Sequence, residues 1–177
     1  MKFFAALAIT MSFVTIANAQ SNTANSFILG KAKVIQAMSV ASKVALDFGW
    51  VSQGSAKTIG LSNDVTGTPL NGTQTTGYFL VSAASGTSVD LTFTSPGNLV
   101  DGSSHNLAIG PYVYGYANTT SFAGASNLVS GGDVTMPINP VESVNGIYVF
   151  VGATVTPTST QAIGDYTGNI TLTATYN

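Results

Sequence analysis

The sequence predicts an all-β protein, an antiparallel β-sandwich of immunoglobulin-like type, and three observations carry that prediction. Beyond residue 20, apolar residues do not recur at the three- and four-residue spacing of an amphipathic helix. Short runs rich in Val, Ile, Thr, Tyr and Phe recur between clusters of Gly, Asn, Ser and Pro. Several of these runs alternate apolar with polar residues, the period of two that a strand shows when one face is buried. About eight such strands in two packed sheets make the sandwich. A closed barrel is the alternative arrangement of the same strands.

The first element is not a strand. Met1-Lys2 precedes an apolar run from Phe3 to Ile16 and then Ala17-Asn18-Ala19, the pattern of a secretory signal peptide cleaved after residue 19. The run is too short for a bilayer-spanning helix, which needs roughly 20 apolar residues, and no second such run follows, so no membrane span is expected after cleavage. Of the 177 residues, 158 then remain past residue 19, enough for one domain with a substantial core. Residues 20–34 read as an N-terminal extension or first strand and residues 35–177 as the sandwich.

Within that domain, Val44 to Trp50 reads as a half-buried strand with residues 44, 46, 48 and 50 inward. Gly77 to Ala83 is a second strand. Ser88 to Thr94 is a third, with Val89, Leu91 and Phe93 inward, and Ser95-Pro96-Gly97-Asn98 turns the chain after it. Leu107 to Tyr116 is strand-like, but Gly110-Pro111 is expected to break it, because Pro has no amide hydrogen to donate to a ladder. Ala117 to Asp133 reads as a long polar surface loop. Ile147 to Val155 is apolar on both parities and belongs in the interior of a sheet.

The last fourteen residues carry the clearest pattern. From Gly164 to Asn177 the even positions are Gly164, Tyr166, Gly168, Ile170, Leu172, Ala174 and Tyr176, and the odd positions are Asp, Thr or Asn. One face is therefore buried throughout, since a slip of one residue would drive every Thr into the core. At about 3.3 Å per residue such a strand is unusually long, and a bend or bulge is expected near Gly168.

This segment resembles the terminal strand of chaperone–usher pilins, which have a Gly fourteen residues from the end and a penultimate Tyr. Gly164 and Tyr176 stand in those places. The resemblance implies a pilin-like sandwich that lacks one strand. Its groove would be filled first by a periplasmic chaperone and then by the N-terminal extension of the next subunit. Gly164, Tyr166, Ile170, Leu172, Ala174 and Tyr176 would form the assembly strand. The donor segment would be Ile28, Gly30, Ala32 and Val34, which share one parity, and Lys33 to Val40 resembles a pilin first strand. The Cys pair that ties the first two strands in many pilins is absent. Leu46-Asp47-Phe48-Gly49, Tyr78 to Gly86, Val151-Gly152-Ala153-Thr154-Val155 and the terminal Gly-x-Tyr-x-Gly together resemble the bacterial family labelled domain of unknown function 4402. That family implies an exported, pilin-like or adhesin-like sandwich with no assigned activity.

Composition narrows the partners. Charged residues make up 7% of the chain, so Ser, Thr, Asn and Gly must cover the surface, which suits packing against further copies of the chain. With no Arg and with Lys31, Lys33, Lys43 and Lys57 scattered, no basic patch for nucleic acid can form. Without Cys there is neither a disulfide nor a thiolate metal site, and one His does not make a metal centre. His105 lies in a polar turn and no Gly-x-Ser-x-Gly elbow is present, so neither catalysis nor a cofactor is expected. Tyr112, Tyr114 and Tyr116 share one strand face. They are either a sugar-binding aromatic platform or, the reading preferred here, a core cluster. The expectation is thus an exported structural or adhesive surface protein, partnered by itself or a periplasmic chaperone. The alternative is a monomeric secreted binding module with a complete sandwich, directed at a glycan or a host surface.

Overall fold

A computed structural model describes residues 24–123, 126–136 and 146–177, so the signal-peptide expectation lies outside the described residues. The chain divides at Lys33. Residues 24–33 form no strand, and their apolar side chains are open to solvent, Ile28 to 98%.

From Val34 onward the β-rich runs become strands: β1 (Ser39–Val44), β2 (Lys57–Ile59), β3 (Val65–Thr66), β4 (Gly77–Ser82), β5 (Ser88–Thr94), β6 (Asn98–Val100), β7 (Asn106–Ala117), β8 (Ser126–Leu128), β9 (Gly132–Thr135), β10 (Gly146–Thr156) and β11 (Thr171–Tyr176). All paired strands run antiparallel, and no helix occurs among the described residues. The larger sheet is built around β10, whose two apolar faces are both covered. Along one edge β10 pairs first with β4 and then with β2, and along the other it pairs with β7. β1 lies outside β4, β3 outside β2, and β6 and β8 outside β7. The smaller sheet has the order β11-β5-β9.

The two sheets meet over a first core in which Val81, Ile147 and Val149 of the larger sheet face Val89, Leu91, Val134 and Leu172 of the smaller. This is the sandwich. A second core, with Phe48, Ile59, Leu107, Ile109, Ala153 and Val155 buried, lies farther along β7 and β10, where no strand of the smaller sheet reaches. There the larger sheet supplies its own walls. Asp47 and Thr75 exchange backbone hydrogen bonds and extend one outer edge past β1. Thr167 and Val100 exchange two more and add the terminal segment outside β6.

Four details of the strand expectations are corrected. Val44 to Trp50 is not a continuous strand. The alternation survives through Leu46 and Phe48, but Gly49 takes a φ of 60° and sits so close to the 71–73 loop that a Cβ would fall 2.7 Å from the Asn71 carbonyl. The turn at Gly49 throws Trp50 outward, 66% exposed instead of buried. Gly110-Pro111 does not break β7. Tyr112 is opposite Ala153 and Ile109 opposite Val155, so the pair forms a bulge against one residue of β10 and the ladder resumes on either side. The segment Ala117 to Asp133 contains β8 and the start of β9, with Leu128 buried. The terminal fourteen residues do not form one strand: ladder pairing covers only Thr171–Tyr176, and Thr167 makes an isolated bridge to the other sheet. The chain changes sheets between them, at Gly168, where a Cβ would stand 2.8 Å from Leu99 and 3.2 Å from Pro96.

Candidate functional site: a cleft between two strand edges

The second core opens to solvent through a cleft of about 610 Å³. One wall is Ala45 to Val51, the other Gly164 to Ile170, and Leu107, Ile109 and Val155 form the floor. A narrower pocket of about 220 Å³ reaches from Ala45 and Ile170 toward Ser42. Each wall is joined to the larger sheet's margin by one isolated bridge, Asp47 to Thr75 and Thr167 to Val100. Because Asp47 turns its amide and carbonyl to Thr75, the alternation of an extended chain turns those of Leu46 and Phe48 the other way. Thr167 is committed to Val100 in the same manner, which leaves Tyr166 and Gly168 with their backbone groups directed away from β6. The amides of Leu46, Phe48, Tyr166 and Gly168 find no partner among the described residues.

The far end of the cleft is tied shut. Gln53 donates to the Gln161 carbonyl, Gly54 donates to Thr158 at 2.9 Å, and Gln161 also donates to the Tyr166 hydroxyl at 2.8 Å. Tyr166 in turn donates to the Ala162 carbonyl at 2.7 Å, which ties it across the bend at Gly164. Lys57 holds the opposite wall. It is fully buried, and its ammonium donates to the Trp50 carbonyl at 2.8 Å and the Pro69 carbonyl at 2.6 Å. Burial lowers its pKa, with nearby Asp47 acting in the opposite sense. Composition alone marked Lys57 only as one of four scattered lysines. Its place between β-branched Thr58 and Ile59 and the turn at Gly54 was the available signal.

The predicted assembly-strand residues divide between the two sheets. Gly164, Tyr166 and Gly168 wall the cleft, with Gly164 giving room to the Asp101 carboxylate, 3.3 Å from where a Cβ would be. Ile170 sits at the crossing. Leu172, Ala174 and Tyr176 face the first core, and every odd position from Asp165 to Asn177 is exposed. The predicted donor residues Ile28, Gly30, Ala32 and Val34 are all exposed, and none lies in a strand.

The three tyrosines of β7 point inward. Tyr114 stacks on Phe93 of the smaller sheet with ring centroids 3.8 Å apart and shares a 2.9 Å hydrogen bond with Ser95. Tyr112 donates to the Pro96 carbonyl at 2.7 Å, and its partial burial beside Tyr114 raises its pKa to about 12. Tyr116 packs against the first core. All three are half-buried, and Tyr112 and Tyr114 join β7 to the chain at the end of β5.

His105 Nδ1 lies 2.7 Å from Asp101 Oδ2, and Asp101 also accepts from the amides of Ser103 and His105. These bonds hold the Asp101 carboxyl below the usual carboxylate range, the His105 side chain first among the causes. They close a turn on Asp101, with the backbone and ring of His105 as the clasp. Among the described residues no three His, Cys, Asp or Glu side chains gather into a metal-binding group, and no helix is long and apolar enough to cross a membrane. No protein-family model matches the chain, and no curated protein matches it.

Proposed function

We propose that this protein is an exported structural or adhesive surface subunit that assembles by accepting a strand, from itself or a partner, into the cleft between Leu46–Val51 and Gly164–Ile170. The observation that supports this reading is the pair of unladdered edges facing one another across an open apolar core. Unpaired strand edges and exposed apolar surface together are an aggregation hazard unless something covers them. An added strand covers both at once: its backbone completes two ladders while alternate side chains enter the core.

The donor that fits this chemistry is the segment Phe27 to Val34, which is apolar, solvent-exposed and without a strand partner. Its even face presents Ile28, Gly30, Ala32 and Val34. Burying Ile28 and Val34 would contribute roughly 1.5–3 kcal/mol each before ordering costs, and the completed ladders add to this. A periplasmic chaperone would serve the same end by lending a strand until assembly. Secretion through a cleaved leader, with the mature chain starting at Gln20, belongs to the same reading.

A second reading is a monomeric binding module for a glycan, favoured by exposed Trp50 beside Gln53 and Asp165 on the cleft rim. Production of the chain without residues 20–34 separates the two. Strand acceptance predicts a self-associating protein that becomes monomeric when a peptide of residues 20–34 is supplied. A soluble, cooperatively folding monomer indifferent to the peptide would end the strand-addition reading.

A further inference from the structure

We infer that the two walls of the cleft pair directly with each other, Leu46 opposite Gly168 and Phe48 opposite Tyr166, and shut it over the second core when no strand fills it. Only the consequence, competition with an added strand, rests on the strand-addition reading. The chain directions permit the pairing. β1 is antiparallel to β4 and β4 to β10, and Asp47 keeps the same sense against Thr75, so residues 45–51 run with β10. β6 also runs with β10, since both are antiparallel to β7, and Thr167 is antiparallel to Val100, so residues 164–170 run against β10. The walls are therefore antiparallel to one another, the relation of two strands in a hairpin.

Their register is nearly fixed already. At the tied end Gly54 donates to Thr158, and Gln53 to the Gln161 carbonyl. Well past the cleft, beyond β1 and β11, the Tyr176 hydroxyl donates to the Gln36 carbonyl and accepts from the Ala84 amide, each at 2.8 Å. Eighteen residues lead from Gln36 to Gly54 and eighteen from Thr158 to Tyr176, so neither stretch has slack against the other. Asp47 and Thr167 spend their amides and carbonyls on Thr75 and Val100, so a slip of one residue would set committed groups against free ones. Among the remaining registers, Leu46 opposite Gly168 matches all four free amides with one another's carbonyls, which also lack partners among the described residues. The side chains are already on the right face: Phe48 is buried in the second core, and Leu46 and Tyr166 pack against it. Shutting the cleft keeps them there and leaves the bridges to Thr75 and Val100 intact. A shut cleft and a filled one exclude each other, so an incoming strand finds only the open fraction of molecules and its apparent affinity falls by that fraction.

The chain has no Cys, so a pair of introduced thiols reports on a single distance. In the shut cleft Asp47 and Thr167 form a non-hydrogen-bonded pair with Cα atoms about 4.5 Å apart, within reach of a disulfide. With a strand between the walls they stand two strand spacings apart, about 9.5 Å, beyond that reach. Residues 20–177 carrying Asp47→Cys with Thr167→Cys are oxidised at high dilution, and disulfide formation is followed by mass spectrometry. Ala45→Cys with Asn169→Cys poses the same question without disturbing the bond from the Gly49 amide to the Asp47 carboxylate. Asp47→Cys with Asp165→Cys is two residues out of register. All five positions are solvent-exposed. Both in-register pairs should close at least tenfold faster than the third, and an excess of a peptide of residues 24–34 should slow them at least tenfold. In-register pairs that close no faster than the third would overturn direct pairing and leave strand addition standing. In-register closure that the peptide does not slow would uphold direct pairing and overturn strand addition at this cleft.

Discussion

Lys57 has the least ordinary environment of any side chain described. An ammonium removed from water is costly, and here two backbone carbonyls accept its hydrogen bonds while nearby Asp47 favours its charge. Its pKa in the folded protein lies below the unfolded value, so the folded state loses its proton first as the pH rises. The cost of the buried charge is present at neutral pH and is relieved as the pH climbs through the lowered pKa toward 10.5. Stability to urea should therefore rise across that window. Tyr112 acts oppositely: its folded pKa of about 12 exceeds the ordinary 10, so the stability it contributes is lost between those values. Lys57→Ala, which abandons both carbonyls and opens a cavity, should cost about 2–4 kcal/mol at pH 7 and abolish the alkaline rise, as read from urea midpoints at pH 7 and in the alkaline window. Adjacent residues in β11 give a sharper contrast. Tyr176→Ser removes a core-packing ring and two hydrogen bonds and should cost about 2–4 kcal/mol, whereas Thr175→Ser, on the exposed face, should stay within about 0.5 kcal/mol. Equal losses in the two variants would contradict the alternation that assigns their faces.

Among the elements, the interior strands were the most legible. Val89 and Leu91 are buried in β5, as their parity requires, and β10 is covered on both faces, as its continuous apolar run requires. Local pattern reports burial well because burial acts on each residue separately. It reports strand continuity poorly, since continuity depends on what lies alongside. Nothing near Gly164 to Asn177 in sequence reveals that its first half borders β6 and its second half β5. The change of sheet depends on the turn at Pro96 to Leu99, about seventy residues earlier, passing beneath Gly168. Trp50 illustrates the same limit, its parity undone by the positive φ at Gly49 and the approach of the 71–73 loop. Gly168→Val tests the crossing. A side chain there pushes on the tip of Leu99 and on the Pro96 ring, and the variant should lose about 1–2 kcal/mol and loosen the second core, measured by thermal unfolding and by binding of a hydrophobic dye.

At the scale of the whole molecule, the sandwich is complete at one end and lacks a wall at the other. The first core is enclosed by two sheets, while the second depends on a single sheet whose edges curl toward each other without meeting. The expected sandwich is present around the first core, and the closed barrel is not formed by the described strands. The alternation of the terminal segment foretold the inward face of Leu172, Ala174 and Tyr176, whereas Gly164 and Gly168 are exposed and not buried as expected. The gap it borders could not be foretold, because a gap is made by two segments more than a hundred residues apart, Ala45 to Val51 and Gly164 to Ile170. Low surface charge and an apolar N-terminal segment fit the proposed addition of a strand to this cleft. The single tryptophan, Trp50, stands on the cleft rim and reports on it directly. Titration of the protein lacking residues 20–34 with a peptide of residues 24–34 should shift Trp50 emission saturably. A peptide with Ile28 and Val34 replaced by Ser should bind at least tenfold more weakly, and one with Lys31 and Lys33 replaced by Ser nearly as well as the parent. Equal binding of all three peptides, or no change in Trp50 emission with any of them, would contradict strand addition at this cleft.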